Sequence, residues 1–253
     1  MASVICIAGL DPTGHAGLSV DIRALESLDV VCHPVASALT VQNSKNFLEI
    51  QPVPVDLVTK QLDAILDVES PGAVKLGVLG SVELALMLSD YFGSGKIPVI
   101  TDPVFRSTTG FNMVDDTILE TYLHDIIPIS AIVTPNADEA RAITGLEVDT
   151  PEDAISACQN IFDRGPGSVL LKGGHLKKSV GTDVFFDSEG PHLLQGKQFS
   201  IKVRGTGCAY SSLIAGHIST GSSILQAVKK AKTDMNAAIS RSASQETSIL
   251  RFK

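Results

Sequence analysis

Gly205, Thr206, Gly207 and Cys208 combine a backbone able to hold an anion with a side chain able to handle a proton. Tyr210 is followed by Leu213, Ile214 and His217 at spacings of three, four and seven, which predicts a helix beginning just after the two glycines. Without Cβ atoms in the way, successive amide N–H groups converge on one point, and the helix dipole adds about half a positive charge there. A thiol in the first turn of such a helix is expected to have its pKa lowered toward the thiolate.

Other polar residues stand just past short apolar runs: Gly9 and Asp11, Gln42, Asp102, Asn136 and Glu139, and Lys172. Taken singly they read as turn and cap chemistry, with Asp102 starting a turn at Pro103, Asn136 capping a helix and Lys172 closing a strand. If the apolar runs are strands of one parallel sheet, all of them gather at its carboxyl edge, where such sheets bind ligands. Gly93-Ser94-Gly95-Lys96 imitates a phosphate loop, but Ile97 stands where Ser or Thr is required, so a surface turn is expected.

The elements that would position these residues follow a regular rhythm. Residues 3–8, 35–41, 73–78, 99–101, 131–134 and 168–171 are apolar runs that predict strands. Helices are expected between them: one carrying Leu18, Ile22, Leu25 and Leu28, with Asp21 in its first turns, then 55–66, one capped by Ser81, 117–127, one opened by Asn136, and one starting at Thr150-Pro151. The spacing of Gly9, Gly14 and Gly17 does not match a dinucleotide fingerprint. Alternation over about six units predicts one α/β/α domain covering 1–253 with a mostly parallel sheet. Residues 183–186 and 199–203, separated by turn residues, suggest a short antiparallel excursion, and 240–253 reads as a loosely held polar tail.

Composition narrows the partners. The chain has 253 residues, 44% of them hydrophobic, and no apolar run long enough to span a membrane, which together with an unremarkable N-terminus points to the cytoplasm. A net charge of -8 without a basic run argues against nucleic acid, so an anionic ligand must find local positive charge. Four scattered cysteines, Cys6, Cys32, Cys158 and Cys208, suggest neither a zinc site nor disulfides, and all but Cys208 are expected in the core.

In order along the chain, Gly9-Leu-Asp-Pro-Thr-Gly-His-Ala-Gly17, Asn136-x-x-Glu139, Lys172-Gly-Gly-His175 and Gly205-Thr-Gly-Cys208 together resemble the ribokinase superfamily. Within it they are most similar to the hydroxymethylpyrimidine/phosphomethylpyrimidine kinases of thiamin biosynthesis, whose branch carries cysteine where most relatives carry an aspartate base. The resemblance implies a ribokinase-like fold, ATP as co-substrate, Mg²⁺ and a homodimer. It implies that Cys208 engages the substrate hydroxyl, as base or as positioning group, and that Gly205, Thr206 and Gly207 hold the charge of the transferred phosphoryl group. Asn136 and Glu139 would organise Mg²⁺, and Lys172, Asn136 and Arg204 would face ATP. Gly9, Asp21, Gln42, Val78 and Val104 match the pyrimidine pocket, with Asp21 and Gln42 pairing to the amine and ring nitrogens. The runner-up implied is a pyridoxal/pyridoxine kinase of the same superfamily. The chain departs from the pattern at His15, Arg204 and Ala209, and at Thr108-Thr109-Gly110-Phe111 after Asp102-Pro103-Val104.

Overall fold

The structure, a computed structural model, describes all residues except 44, 107–109, 176–180, 200, 202 and 246. The chain alternates strand and helix: β1 (Ser3–Leu10), α1 (Gly17–Glu26), β2 (Val31–Gln42), β3 (Phe47–Pro52), α2 (Val55–Leu66), β4 (Ala73–Leu76), α3 (Val82–Phe92), β5 (Val99–Thr101) and α4 (Asp116–Thr121). It continues through a π-helical turn (Tyr122–Ile126), β6 (Ile132–Val133), α5 (Ala137–Thr144), α6 (Pro151–Phe162), β7 (Val169–Leu171), β8 (Asp183–Asp187), β9 (Gly190–Leu194), α7 (Thr206–Ser219) and α8 (Ile224–Ser244). Among the described residues these strands form one nine-stranded sheet in the order β3-β2-β1-β4-β5-β6-β7-β8-β9. The central six, β2-β1-β4-β5-β6-β7, are parallel, and β3, β8 and β9 add antiparallel edges.

Side chains alternate across the sheet with a period of two, and this sorts the core into two layers. Ile5, Ile7, Val74 and Leu76 face α2 to α6, meeting Leu62, Leu88, Tyr122 and Ile161. Val4, Cys6, Ala8 and Ala73 face the opposite way, onto Leu25 of α1, Leu213 and Ile214 of α7 and Met235 of α8. Each large aliphatic side chain so buried contributes about 1.5–3 kcal/mol. The three-layer α/β/α expectation therefore holds, and all six parallel strands end at one edge.

Several boundaries differ from the sequence reading. β3 was not expected, and the region read as a helix over 117–127 is α4 followed by the π-helical turn. The antiparallel partner of β8 is β9 rather than 199–203, of which 200 and 202 lie outside the described residues, as does Ser44. The reason is local: Gly190 has a φ of +101 and Asp187 Oδ1 accepts from the amide of Glu189 at 2.9 Å, so the chain reverses at once. Gly93-Ser94-Gly95-Lys96 is an exposed turn after α3, as expected.

The supposed loose tail is tied down. α8, opened by the capping box of Ser223 and Gln226, runs to Ser244 and buries a stripe of Ala227, Ala231, Met235 and Ala238. Beyond it Leu250 is 2% exposed, Arg241 donates to the Phe252 carbonyl at 2.8 Å, and the Arg204 amide donates to the Ser248 carbonyl at 3.1 Å. Cys6 and Cys158 are buried as expected, while Cys32 is only half-buried. No described helix is long and apolar enough to cross a membrane.

Candidate active site

α7 begins at a close approach between two loops. Gly205, its N-cap, has a φ of +76, and a Cβ there would lie 2.2 Å from the His15 carbonyl oxygen. Only glycine fits, on both counts. Among the described residues no side chain caps α7 and its first turn holds no acidic residue, so the amides of Gly205, Thr206, Gly207 and Cys208 remain for an anion. The facing loop is held by Asp11, whose carboxylate accepts from the amide and hydroxyl of Thr13, both at 2.8 Å, and from the amide of His15 at 3.2 Å. That loop ends at Gly17, also at positive φ, whose backbone amide pulls the Cys208 thiol pKa down. The starts of α1 and α7 thus converge on the thiol.

Even so, the Cys208 thiol is pushed up to about 11, contrary to the lowered pKa expected from sequence. Burial is the main cause; Lys75 pulls it down, and the carboxylates of Asp102 and Asp21 push it up again. Two helix termini do not outweigh the desolvation of a half-buried thiol with Asp102 and Asp21 nearby.

Beyond Gly207 lies a compact charged cluster. Lys172, just after β7, places Nζ 2.6 Å from Asp102 Oδ1, at the end of β5, and 4.0 Å from Glu139 Oε2. A Cβ on Gly207 would sit 3.3 Å from that ammonium and 3.9 Å from Asp102 Oδ2. Lys172, whose side chain is 13% exposed, is therefore a largely covered partner of the helix terminus. Asp102 Oδ2 is buried and accepts no hydrogen bond from any described residue, and Thr134 Oγ1 approaches Oδ1 at 3.3 Å. Burial works against the Asp102 carboxylate, but Lys172 and Lys75 together hold it below the usual range.

Asn136 and Glu139 form a capping box at the start of α5. Asn136 Oδ1 accepts from the amides of Asp138 and Glu139 at 2.9 and 3.0 Å, and Glu139 Oε2 accepts from the Asn136 amide at 2.7 Å. Burial pushes the Glu139 carboxyl up to about 7, against the pull of Lys172 and with Asp102 adding to the rise. Both anionic groups of the cluster are oxygen donors. No group of three or more potential ligands among His, Cys, Asp and Glu exists among the described residues.

On the other side of Cys208 opens a pocket. Gly9, Gln42, Val78 and Val104 line it, as expected from sequence, and Thr40, Phe47 and Met113 complete its walls. Gln42 Nε2 donates to Thr40 Oγ1 at 3.0 Å. Ser37 hydrogen-bonds the Val78 carbonyl, and Phe47 stacks on Phe111 with centroids 4.7 Å apart. Arg204, which the resemblance places facing ATP, lines this pocket as well. Of the Thr108-Thr109-Gly110-Phe111 departure, Thr108 and Thr109 lie outside the described residues.

Asp21 is the residue the sequence reading misplaced. It is fully buried on α1 and does not line the pocket; its oxygens accept from Lys75 Nζ at 3.1 and 3.0 Å and from Ser212 of α7 at 2.8 Å. Lys75 lines the pocket in its place. A lysine between the apolar Val74 and Leu76 of a buried strand was the available signal: with a period of two it must turn toward α1 and α7 and find an anion there. Burial works against its ammonium, but Asp21, Cys208 and Asp102 overcompensate and raise it, so the charge stays.

Residues 11–251 match the family model for phosphomethylpyrimidine kinase. The hydroxymethylpyrimidine/phosphomethylpyrimidine kinase of Aquifex aeolicus is 34% identical over 240 residues, covering 94% of each chain. The crystal structure of phosphomethylpyrimidine kinase from Clostridium difficile superposes with a TM-score of 0.84 at 28% identity, over 94% of this chain and 100% of that one. An ADP complex of Bacillus subtilis pyridoxal kinase superposes with a TM-score of 0.86 at 25% identity, over 94% and 92%. The fold is that of the ribokinase-like kinases, and the chain belongs to the phosphomethylpyrimidine kinase family.

Proposed function

We propose that this site moves the γ-phosphoryl group of ATP onto the hydroxymethyl arm of 4-amino-5-hydroxymethyl-2-methylpyrimidine, and then phosphorylates the resulting monophosphate to the diphosphate used in thiamin biosynthesis. The observation that carries the reading is the α7 terminus standing between two chemically distinct spaces, a ring-sized pocket at Cys208 and a charged cluster at Lys172. Phosphoryl transfer needs in-line positioning and charge neutralisation more than covalent chemistry. The amides of Gly205, Thr206 and Gly207 supply donors for the equatorial oxygens, and Lys172, kept cationic by Asp102, faces the ATP phosphates.

Cys208 orients the alcohol. As a thiol it accepts a hydrogen bond from the substrate hydroxyl or donates one to its oxygen, and the proton leaves late toward the transferred group. Gln42 pairs with the ring edge, Gly9, Val78 and Val104 take its faces, and Arg204 is the cation available to the first-formed phosphate. Asp21 acts on the ring only through Lys75.

The cluster fits Mg²⁺: the unpartnered Asp102 Oδ2 and the Glu139 carboxyl are hard oxygen donors of the number this ion takes from a protein. Asn136, with Oδ1 occupied by two amides, positions Glu139. When bound, the ion would neutralise charge on the β- and γ-phosphates. We also propose a homodimer, supported by the exposed apolar side chains Leu39 and Val41 on β2 and Leu48 on β3, and a cytoplasmic location, supported by the need for ATP.

A substrate panel tests the reading. With ATP and Mg²⁺, hydroxymethylpyrimidine is expected to give both monophosphate and diphosphate at a higher kcat/KM than pyridoxal gives its phosphate. The similarity to a pyridoxal kinase makes that aldehyde the fair competitor, and a preference for it would overturn the pyrimidine assignment.

A further inference from the structure

Lys75 is the least expected group at the pocket. It is fully buried on β4, and Asp21 takes two of its three N–H donors, at 3.1 and 3.0 Å. Asp21 is itself fixed by Ser212 at 2.8 Å, so the ammonium is held from α1 and α7 at once. Its third N–H has no partner among the described residues. The direction left open is marked by Gly77, where a Cβ would lie 3.1 Å from Nζ and 3.0 Å from the Ala8 Cβ. Gly77 and Lys75 both line the pocket, and the Gly77 carbonyl is fixed by the Tyr122 hydroxyl at 2.8 Å, so the absent side chain leaves the fully covered ammonium close behind the pocket wall.

We propose that Lys75 is a specificity-determining residue, donating its remaining N–H through the gap at Gly77 to an acceptor atom on the ring of the alcohol substrate. An ammonium in this place favours a ring that presents a lone pair, such as an unprotonated ring nitrogen, and disfavours one that presents a proton. A neutral donor such as a hydroxyl would discriminate less, because charge-assisted bonds are about twice as strong as neutral ones. The ammonium survives in so buried a place because Asp21 compensates it, which explains why a carboxylate with no access to the substrate stands at that position. The inference rests on the ring pocket assigned above, and its test keeps the two separable.

The test uses hydroxymethylpyrimidine and two analogues in which each ring nitrogen in turn is replaced by C–H. On the unmodified enzyme, one analogue is expected to show a KM about 10- to 100-fold above the parent, with KM for ATP unchanged. Lys75→Met/Asp21→Asn removes both charges together, so that no uncompensated carboxylate remains buried. This variant is expected to raise KM for the parent by a similar factor and to stop distinguishing the two compounds. An enzyme that accepts both analogues as well as the parent, or a double variant that discriminates as before, overturns the proposal while leaving pyrimidine turnover intact. Should the double variant fail to fold, Gly77→Ala keeps both charges and closes the gap. A raised KM for the parent against an unchanged KM for ATP supports the role of Lys75, and an unchanged KM for both overturns it.

Discussion

Lys172 Nζ stands 2.6 Å from Asp102 Oδ1, while Asp102 Oδ2 is buried with no partner among the described residues. One oxygen of a single carboxylate thus holds the cation that faces the α7 terminus, and the other is turned toward a space that a cation would satisfy. Neither side chain is stable there alone.

Lys172→Met should therefore cost about 3–5 kcal/mol of stability, because it leaves Asp102 charged and buried. Lys172→Met/Asp102→Asn should recover most of that loss, while turnover stays at least ~100-fold down because the positive charge beside Gly207 is gone. Melting temperatures and kcat of both variants check this. A double variant with restored activity would show the pair to be structural only.

Glu139 makes the stability of the metal-free protein depend on pH. Its carboxyl has a pKa of about 7 in the folded chain against an ordinary value of 4.5, so the folded state binds the proton more tightly. The contribution is fully present below pH 4.5 and is lost as pH rises through 7, amounting to roughly 3 kcal/mol in total. Glu139→Gln, which keeps the capping geometry, should flatten unfolding free energy between those pH values and weaken the Mg²⁺ dependence of turnover. Denaturant titrations across the range decide it, and an unchanged slope would remove Glu139 as the source.

The Cys208 thiol, raised to about 11, should react slowly with iodoacetamide at neutral pH, and its rate should climb through pH 9 to 11 without a plateau below pH 8. Peptide mass spectrometry distinguishes it from Cys32, which is half-buried like Cys208 itself. Bound pyrimidine should protect Cys208. A plateau near pH 7 would restore the thiolate suggested by its place at a helix start.

Much of this site was legible in residue order, for a physical reason. Short apolar runs followed by Gly, Asp, Asn or Lys describe parallel strands and their carboxyl ends, so Gly9, Gln42, Asp102, Asn136 and Lys172 could be gathered at one edge before any coordinates. What the sequence hid was pairing at a distance. Asp21 and Lys75 are 54 positions apart, and Asp21 and Ser212 are 191 apart, so no local pattern couples them. Burial was equally hidden: a helix terminus lowers a thiol's pKa, but only the fold shows the desolvation that, with Asp102 and Asp21 adding to it, reverses the sign at Cys208. α8 escaped because its buried stripe is built largely of alanines among Lys and Ser. Deleting 245–253 should lower stability by about 1.5–3 kcal/mol through Leu250 alone, and it should raise KM for the pyrimidine, since Ser248 anchors the Arg204 backbone. Thermal melts and kinetics of the truncated chain check both, and a KM left unchanged would separate the tail from the site.

The central claim, that chemistry occurs where the α7 terminus meets Cys208, is tested most directly by kcat and melting temperature of Cys208→Ala. A group that orients the reacting hydroxyl should cost about 100-fold or more in kcat when removed, with the melting temperature nearly unchanged and with Cys208→Ser intermediate in rate. A less stable alanine variant that turns over the pyrimidine at the native rate would contradict the account and leave Cys208 as a packing residue.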